Sequence, residues 1–258
     1  MFPKIDIRTF MLIAIAVVVM HAAALAQTDE IQVYDAAIAE KGKFNLMLHN
    51  NFTPDGLKTP AFPGALVSDR SLNGVPEWAY GVTDWFEAGL YLPLYSISKT
   101  RSPSLNGFKL RALFVKPRAD DHTFFYGMNF EFSVNAKHWD ARRITSEVRP
   151  IVGVHLHPVD IIVNPILDTA YNGFKNLDFA PAVRVAYNFN KQWAGAVEHY
   201  ADYGPLHHFY SAREQSHQIY GVVDRSGKVL NVEAGIGFGL TAASDKVTLK
   251  LMLSRDLN

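Results

Sequence analysis

Cysteine, charge and long apolar runs are the features that this 258-residue sequence lacks or has little of. Without cysteine, disulfide-stabilised scaffolds and cysteine-ligated metal sites are excluded. The balance of 25 basic and 25 acidic residues gives no basis for predicting nucleic-acid binding. Charged residues make up 19% of the chain, below the roughly 25% of soluble domains, although the hydrophobic share of 48% is ordinary. This composition is typical of outer-membrane barrels, in which lipid-facing and lumen-facing residues average out along each strand.

Residues 1–26 have the pattern of a signal peptide. Lys4 and Arg8 precede an apolar run over 10–20, and the small residues at 24–26 provide a cleavage site. The apolar run is shorter than the about 20 residues that a spanning helix needs, so an uncleaved anchor is the less favoured alternative. No later segment reaches that length without charges. The sequence therefore predicts export and no transmembrane helix.

What the sequence does contain is repeated strand-like alternation, clearest in HTFFYGMNFEFSVN at 122–135. A strand turns its side chains over at every residue, so alternate positions share a face. One face would carry Phe124, Tyr126, Met128, Phe130, Phe132 and Val134. The other face would carry small or polar residues, with Phe125 as the exception. This pattern predicts a strand with one apolar and one polar side.

The same alternation recurs about a dozen times, separated by turn residues. It predicts strands near 43–53, 77–83, 85–96, 108–117, 122–135, 145–155, 158–167, 178–189, 191–200, 215–224, 228–240 and 246–255. Long and short connections alternate, the longest being 54–76 and 201–214. This is the plan of an all-β protein that forms a closed antiparallel up-and-down transmembrane β-barrel of about 12 strands. The predicted barrel spans 43–258.

The sequence leaves two alternatives for each of two further features of the barrel. Residues 27–42 fit no strand and form either a periplasmic tail or a plug inside the lumen. Aromatic residues flank two tight turns, which predicts an aromatic girdle at the lipid boundary but also fits ordinary core packing. A secreted soluble barrel is the alternative fold. It is less favoured because the polar faces are rich in Gly, Ala and Asn rather than Lys and Glu.

Isolated charges lie on the polar face of the predicted strands and form the candidate lumen site. They are Glu87, Arg111, Glu131, Glu147, Arg149, Asp160, Arg184, Glu198, Glu233 and Lys250, together with Lys109 and Lys246. Because unpaired charges in a narrow lumen are costly, neighbouring strands are expected to pair them, with Glu131 meeting Arg111 or Arg149. The set is either a constriction that selects a solute or an ion-pair network that stabilises and closes the barrel.

Histidine and serine residues suggest two weaker sites. His155 and His157 lie at one end of the predicted barrel, and His199, His207, His208 and His217 at the other, so the two groups cannot form one metal site. A lipid hydrolase would need a serine and a histidine together, for which His199, His217, Asp202, Ser211 and Ser216 are candidates. No nucleophile-elbow, nucleotide-binding or zinc-finger motif is present. No catalytic residue, metal or cofactor is therefore assigned, and the chain is not predicted to be an enzyme.

Several segments carry a family resemblance. The run YGVTDWFEAGLYLP at 80–93 resembles a hairpin of bacterial outer-membrane barrels grouped as meta-pathway phenol-degradation proteins, and 147–168, 193–209 and the opening DEIQVYDAAIAEKGKFNL resemble uncharacterised relatives of that group. The resemblance implies an outer-membrane protein inserted by the barrel-assembly machinery and surrounded by lipid. It also implies passage or binding of a small solute, with aromatic or hydrophobic compounds as candidates. Leu57, Phe62 and Leu66 in the long first loop suit such a solute, although a mobile surface loop is equally consistent with them.

Overall fold

The computed structural model describes residues 30–99 and 101–257. The predicted leader at 1–26 lies outside the described residues. The strands are β1 (Phe44–Asp55), β2 (Ser71–Gly81), β3 (Phe86–Ser98), β4 (Ser104–Val115), β5 (Phe124–Asn135), β6 (Ile144–His155), β7 (Val159–Asn164), β8 (Leu167–Thr169), β9 (Asp178–Phe179), β10 (Ala182–Asn188), β11 (Trp193–Asp202), β12 (Ser216–Arg225), β13 (Asn231–Gly239) and β14 (Val247–Asp256). Two single 3-10 turns cover Ala119–Asp121 and Phe174–Asn176.

The sheet closes on itself. Successive strands pair antiparallel, and β14 pairs with β1 to complete the ring. The short pieces β7 and β8 both pair with β6 and form one barrel strand, while β9 and β10 form the next. The protein is therefore a closed antiparallel barrel of twelve strands, which confirms the predicted fold class. Closure leaves no unpaired sheet edge.

The two ends of the barrel differ in their connections. We call the end that carries 56–70 and 203–215, the two longest connections, the loop end. The opposite end, which carries the connections at 82–85, 156–158 and 189–192, is the turn end. Three connections differ from the predicted lengths, and the first, between β1 and β2, is shorter because β2 begins earlier. The β3–β4 link is shorter than expected because both strands extend further, and the β4–β5 link is lengthened by a 3-10 turn.

The inward and outward faces of the strands carry the residues that the sequence alternation predicts. In β5, Glu131, Ser133 and Asn135 are buried in the lumen, whereas the alternate large side chains are exposed on the outside. Phe125, the exception to the predicted polar face, points inward and is fully buried against the His155 ring, with 4.6 Å between ring centroids. Its ring occupies the space where a Cβ of Gly153 would lie, so the glycine opposite makes room for it.

β2 begins six residues earlier than its predicted start at residue 77. Pro76 lies inside the strand, where proline is disfavoured because it cannot donate to the ladder. The pairing of β2 with β3 breaks register between Gly74 and Glu77. This irregularity accommodates the proline and lets the strand continue, and the sequence pattern alone did not reveal it.

Exposed aromatic side chains lie around the outside of the turn end. Phe44 contacts Tyr80 with ring centroids 4.7 Å apart. Further contacts join Trp85, Phe86 and Phe114, then Phe124 and Tyr126, then Tyr187 and Phe189. Most of these rings are more than a third exposed. These rings follow the rim as the predicted girdle would, while further exposed aromatic residues, Phe130 and Phe132, lie in the middle of β5.

No helix within residues 30–99 and 101–257 is long and apolar enough to cross a membrane.

Candidate functional site: the barrel lumen

Residues 30–42 run inside the barrel from the middle of the lumen to the turn end; we call them the N-terminal segment. Tyr34 is buried, and its hydroxyl lies 2.5 Å from the Tyr91 hydroxyl on β3. Nearer the turn end, the Ala39 N–H donates to Glu87 at 2.5 Å. The Gly42 N–H donates to the Gly81 carbonyl at 2.7 Å, just before β1 begins. The segment is thus hydrogen-bonded to the wall along much of its length.

Apolar contacts fill one side of the turn-end half of the lumen, along β4 to β7 and β10. Val33, Tyr34 and Ala36 of the N-terminal segment pack with inward-facing residues of β4 to β7 and β10. These residues are Leu113, Val115, Phe125, Ile151, Ile162 and Ala182. A dry apolar contact of this kind excludes water. In the described structure, the N-terminal segment therefore closes this half of the lumen.

The first buried charge group, the Arg111 network, joins β1 to β4. Arg111 Nη1 lies 2.7 Å from Glu77 Oε1, and its other terminal nitrogen bonds to Glu87. His49 Nε2 lies 2.9 Å from Glu77 Oε2. A Cβ on Gly89 would lie 2.7 Å from Arg111 Nε, so the glycine gives the guanidinium room beside the wall. The network satisfies charges that would otherwise be costly to bury.

A second group of charges lies where the N-terminal segment crosses the lumen. Arg149 forms a two-pronged contact with Glu147 at 2.6 and 2.9 Å, and also reaches Glu30 at 3.4 Å. Its guanidinium lies over the Tyr34 ring, 4.4 Å from the centroid. The salt bridge of Glu131 is with Lys109 at 3.6 Å. Lys109 lies on β4, next to β5, so this pair joins neighbouring strands as expected, through a lysine that the sequence did not name as the partner.

The third group, the Arg184 network, spans β10 to β14. Arg184 bonds to Glu198 and Asp224 and lies 3.4 Å from Glu233. Lys250 lies 2.5 Å from both Glu198 and Glu233. It also donates to the Ile31 carbonyl of the N-terminal segment at 3.3 Å. Glu198 and Lys250 are almost completely buried, so these charges depend on one another.

Asp160 lies apart from these networks, towards the turn end. Its carboxylate is 2.7 Å from His155 Nδ1 and accepts a 2.6 Å hydrogen bond from Asn188. All ten candidate site residues therefore face the lumen, but in separate groups rather than one ring. Lys246, predicted for the same face, is instead exposed at the loop end, 3.7 Å from Asp55.

Sequence reasoning missed four ionisable members of these groups. Glu77 and His49 belong to the Arg111 network, Glu30 binds Arg149, and Asp224 binds Arg184. Glu30 lies in a segment without periodicity, so its position had no sequence signal. Asp224 and His49 do alternate with outward-facing residues of their strands, and that pattern could have included them.

A cavity of about 530 Å³ occupies the loop-end half of the lumen; we call it the vestibule. Glu30, Ile31 and Gln32 form its floor, while Leu57, Leu66 and Trp139 from the loops line its upper part. Its walls carry polar side chains of most strands. The barrel thus combines a polar cavity open towards the loops with apolar contacts and buried ion pairs below it.

Two ionisable loop residues lie close to the vestibule mouth. Burial raises the pKa of Asp140, partly offset by a hydrogen bond from the Arg142 N–H and by the Arg142 charge. Burial also lowers the pKa of His138, and Arg101 adds to this effect. His138 Nε2 lies 3.2 Å from Asn106 Oδ1. Both shifts favour the neutral forms of these side chains.

The histidine and serine candidates do not assemble a catalytic or metal site in the described residues. His199 Nε2 lies 3.2 Å from His217 Nδ1, with stacked rings. Within residues 30–99 and 101–257, neither Ser211 nor Ser216 hydrogen-bonds to a histidine side chain; they bond to Glu214 and Ser244 instead. No group of three or more potential ligands in this part of the chain is arranged to hold a metal ion.

Comparison with known proteins gives similarity in structure only. No family model matches the sequence, and no curated protein matches it. An outer-membrane channel from Pseudomonas putida F1 has a TM-score of 0.58 at 12% identity, covering 88% of this chain and 100% of that one. The NanC porin gives a TM-score of 0.54 at 7% identity, covering 83% of this chain and all of that porin.

The KdgM porin, solved in complex with disordered oligogalacturonate, has a TM-score of 0.53 at 8% identity and covers 83% of this chain and 99% of that porin. At these identities the similarity establishes a shared fold. The chain has the fold of outer-membrane channel and porin barrels.

Proposed function

We propose that this protein is a bacterial outer-membrane barrel that takes up a small solute from its loop end and passes it through the lumen. The observation that carries the proposal is the combination of an apolar outer surface with a polar vestibule inside a closed barrel. Fold similarity to channels and porins supports it. Membrane lipid is then the partner of the outer surface, and the assembly machinery inserts the chain after export.

The outer surface supports a membrane location over the soluble alternative. Large apolar side chains such as Leu110, Phe130 and Val197 are 43–53% exposed in the middle of their strands. A soluble protein rarely exposes a continuous apolar band of this kind, because water disfavours it. Hydrocarbon chains cover such a band without cost, and the aromatic rim at the turn end suits the lipid boundary.

Because the N-terminal segment obstructs the lumen, a solute can pass only if this segment moves. The vestibule ends at Glu30 and Gln32, and the apolar contacts of Val33 and Ala36 lie below that floor. We therefore propose that a solute first binds in the vestibule and crosses the barrel when the N-terminal segment moves aside. The floor is polar where it meets the vestibule, and apolar contacts and ion pairs lie beneath it.

The vestibule walls offer apolar surface for part of the solute. Leu57, Leu66 and Trp139 line the cavity, with Tyr200 and Tyr220 lower down. This surface is consistent with the aromatic or hydrophobic solute suggested by the resemblance to phenol-degradation barrels, which remains part of the proposal. Membership of that particular group is likewise proposed only.

Liposome swelling tests passage directly. Purified protein is reconstituted into liposomes, and entry of small uncharged and charged aromatic compounds is followed by light scattering. We expect faster entry than into protein-free liposomes, and faster still after deletion of residues 30–40. Entry rates equal to those of protein-free liposomes for both proteins, each shown to be folded, would contradict the proposal.

A substitution at Glu131 separates the two interpretations of the lumen charges. In the deletion background, a constriction role predicts that Glu131→Ala changes the conductance or ion selectivity. A purely structural role predicts lower stability with unchanged conductance. Asp84, exposed in a turn at the turn end, provides the control Asp84→Ala.

A further inference from the structure

The vestibule has a strong local excess of acidic side chains. Eight acidic residues line it, namely Glu30, Glu131, Asp140, Glu147, Asp168, Asp178, Asp202 and Asp245, against the three basic residues Lys109, Arg142 and Arg149. The chain as a whole has equal numbers of acidic and basic residues, so the excess is a property of this cavity. Two of the three basic side chains, Lys109 and Arg149, are already in salt bridges with vestibule carboxylates.

Three of the carboxylates form a patch on one wall. Asp168 and Asp178 are directly opposed on β8 and β9, and Asp202 follows from β11. In the parts of the chain that the structure describes, no basic side chain lies within 4.0 Å of any of the three. Asp202 accepts a backbone hydrogen bond from Gly204 at 2.8 Å, which fixes its orientation. The patch therefore holds carboxyl groups that no basic side chain of the described residues neutralises.

The vestibule floor gives an independent indication that the ligand carries hydrogen-bond donors. Glu30 has a side chain only 3% exposed, and its Oε2 atom has no hydrogen-bond partner, although its Oε1 contacts Arg149. Gln32 Oε1, on the same floor, is also buried without a partner. The Gln32 oxygen can only accept, and the Glu30 oxygen accepts when its carboxylate is ionised. A buried acceptor without a donor is costly, so a donor group that reached these two atoms would be bound favourably.

We propose that the vestibule is a binding site for a small organic cation, an ammonium or guanidinium compound with an apolar body. The charged group would donate to Glu30 and Gln32 on the floor or lie against the wall patch of Asp168, Asp178 and Asp202. The apolar body would pack against Leu66 and Trp139. Several carboxylates around a low-dielectric cavity also raise the local concentration of cations, which favours entry.

This inference rests on the proposed function for its biological meaning, because the cation would be the solute taken up. It differs from what fold similarity alone would suggest. One neighbour of the same fold, the KdgM porin, was solved with oligogalacturonate, whose carboxylates would be repelled by this vestibule. The sign of the lining charge, rather than the fold, therefore decides the solute class.

Three matched ligands test the inference on the folded protein in detergent. Benzylammonium, benzoate and benzyl alcohol share a ring but differ in charge. Isothermal titration calorimetry is expected to give benzylammonium at least about tenfold tighter binding than either of the others, a difference of about 1.4 kcal/mol. Its affinity should fall as salt concentration rises, because salt screens the carboxylates.

Variants locate the site. Asp178→Asn with Asp202→Asn, and separately Glu30→Gln, should each weaken benzylammonium binding several-fold, while the exposed turn variant Asp84→Asn should not. Equal binding of benzoate or benzyl alcohol, absence of benzylammonium binding at millimolar concentration, or unchanged affinity in the variants would overturn the inference. The wild-type ligand comparison decides even if a variant fails to fold.

Calorimetry measures binding of the cation, whereas liposome swelling measures passage, so the cation site and the proposed function are tested separately. Selective binding without passage would leave the cation site standing and remove the transport proposal. Passage without a preference for the cation would support the transport proposal and contradict the cation site.

Discussion

Tyr34 and Asn164 hold each other through two hydrogen bonds across the lumen. The Tyr34 N–H donates to Asn164 Oδ1 at 2.7 Å, and Asn164 Nδ2 donates to the Tyr34 carbonyl at 3.0 Å. The Asn164 side chain thus makes the two backbone hydrogen bonds that a neighbouring strand would otherwise make to Tyr34. Both residues are buried, so no water can substitute for either bond.

Asn164→Ala should loosen the N-terminal segment. The substitution leaves the Tyr34 N–H and carbonyl without partners in a buried place, which costs about 1–3 kcal/mol for each unsatisfied group. We expect faster hydrogen exchange in residues 30–42, measured by mass spectrometry, with little change in the strands. Asn188→Ala is the matched control, because Asn188 also faces the lumen but bonds to Asp160. Equal exchange in wild type and Asn164→Ala would show that this pair does not hold the segment.

Deletion of residues 30–40 should open the barrel. The deletion removes the floor of the vestibule and the apolar contacts of Val33, Tyr34 and Ala36. We expect low or intermittent conductance for the wild type in planar bilayers and a larger, steady conductance for the deletion variant. A folded deletion variant with the conductance of the wild type would mean that the N-terminal segment does not obstruct the lumen.

Arg184→Met should destabilise the barrel strongly. Removing the guanidinium takes away the salt bridge of Asp224 and leaves Glu198 and Glu233 paired with Lys250. Breaking a buried ion network by deleting one partner costs about 3–5 kcal/mol. The temperature at which the folded gel band disappears should fall. Arg225→Met is the control, since Arg225 is exposed and its guanidinium lies over the face of Trp193, 5.9 Å from the ring centroid. A similar small effect for both variants would contradict the proposed importance of the network.

Val197→Arg distinguishes a lipid-facing surface from a water-facing one. Val197 is 53% exposed in the middle of β11, and an arginine on the lipid face near the bilayer midplane costs about 2–4 kcal/mol. We expect a lower yield of folded protein in membranes and a lower unfolding temperature. Val229→Arg, at a turn residue that is 67% exposed, should be neutral. If Val197→Arg were neutral as well, the outside of the barrel would face water.

The sequence predicts the strands of this barrel well. It predicts the N-terminal segment and the charge pairs inside the lumen poorly. In β5 and β13, one face meets an apolar exterior and the other a crowded lumen, so residue type alternates with period two. That constraint is local and visible in the sequence. It also placed all ten candidate charges on the inner face.

Pairing inside the lumen depends on distances across the barrel. Arg184 on β10 bonds to Asp224 on β12 and approaches Glu233 on β13, although neither strand is its neighbour in the sheet. Adjacent-strand register cannot reveal such contacts. The N-terminal segment was equally hidden, because residues 30–42 follow an irregular path and have no period to detect. Its position is determined by Tyr34, Asn164 and the apolar contacts below the vestibule.

Electrophoresis of isolated outer membranes, with and without boiling, tests the central claim most directly. Membrane barrels commonly stay folded in detergent until heated, and a folded barrel migrates differently from the unfolded chain. Our account predicts that the protein is found in the outer-membrane fraction and that its band shifts after boiling. Recovery in the soluble fraction without detergent, with no shift on boiling, would contradict the membrane barrel and favour a secreted soluble one.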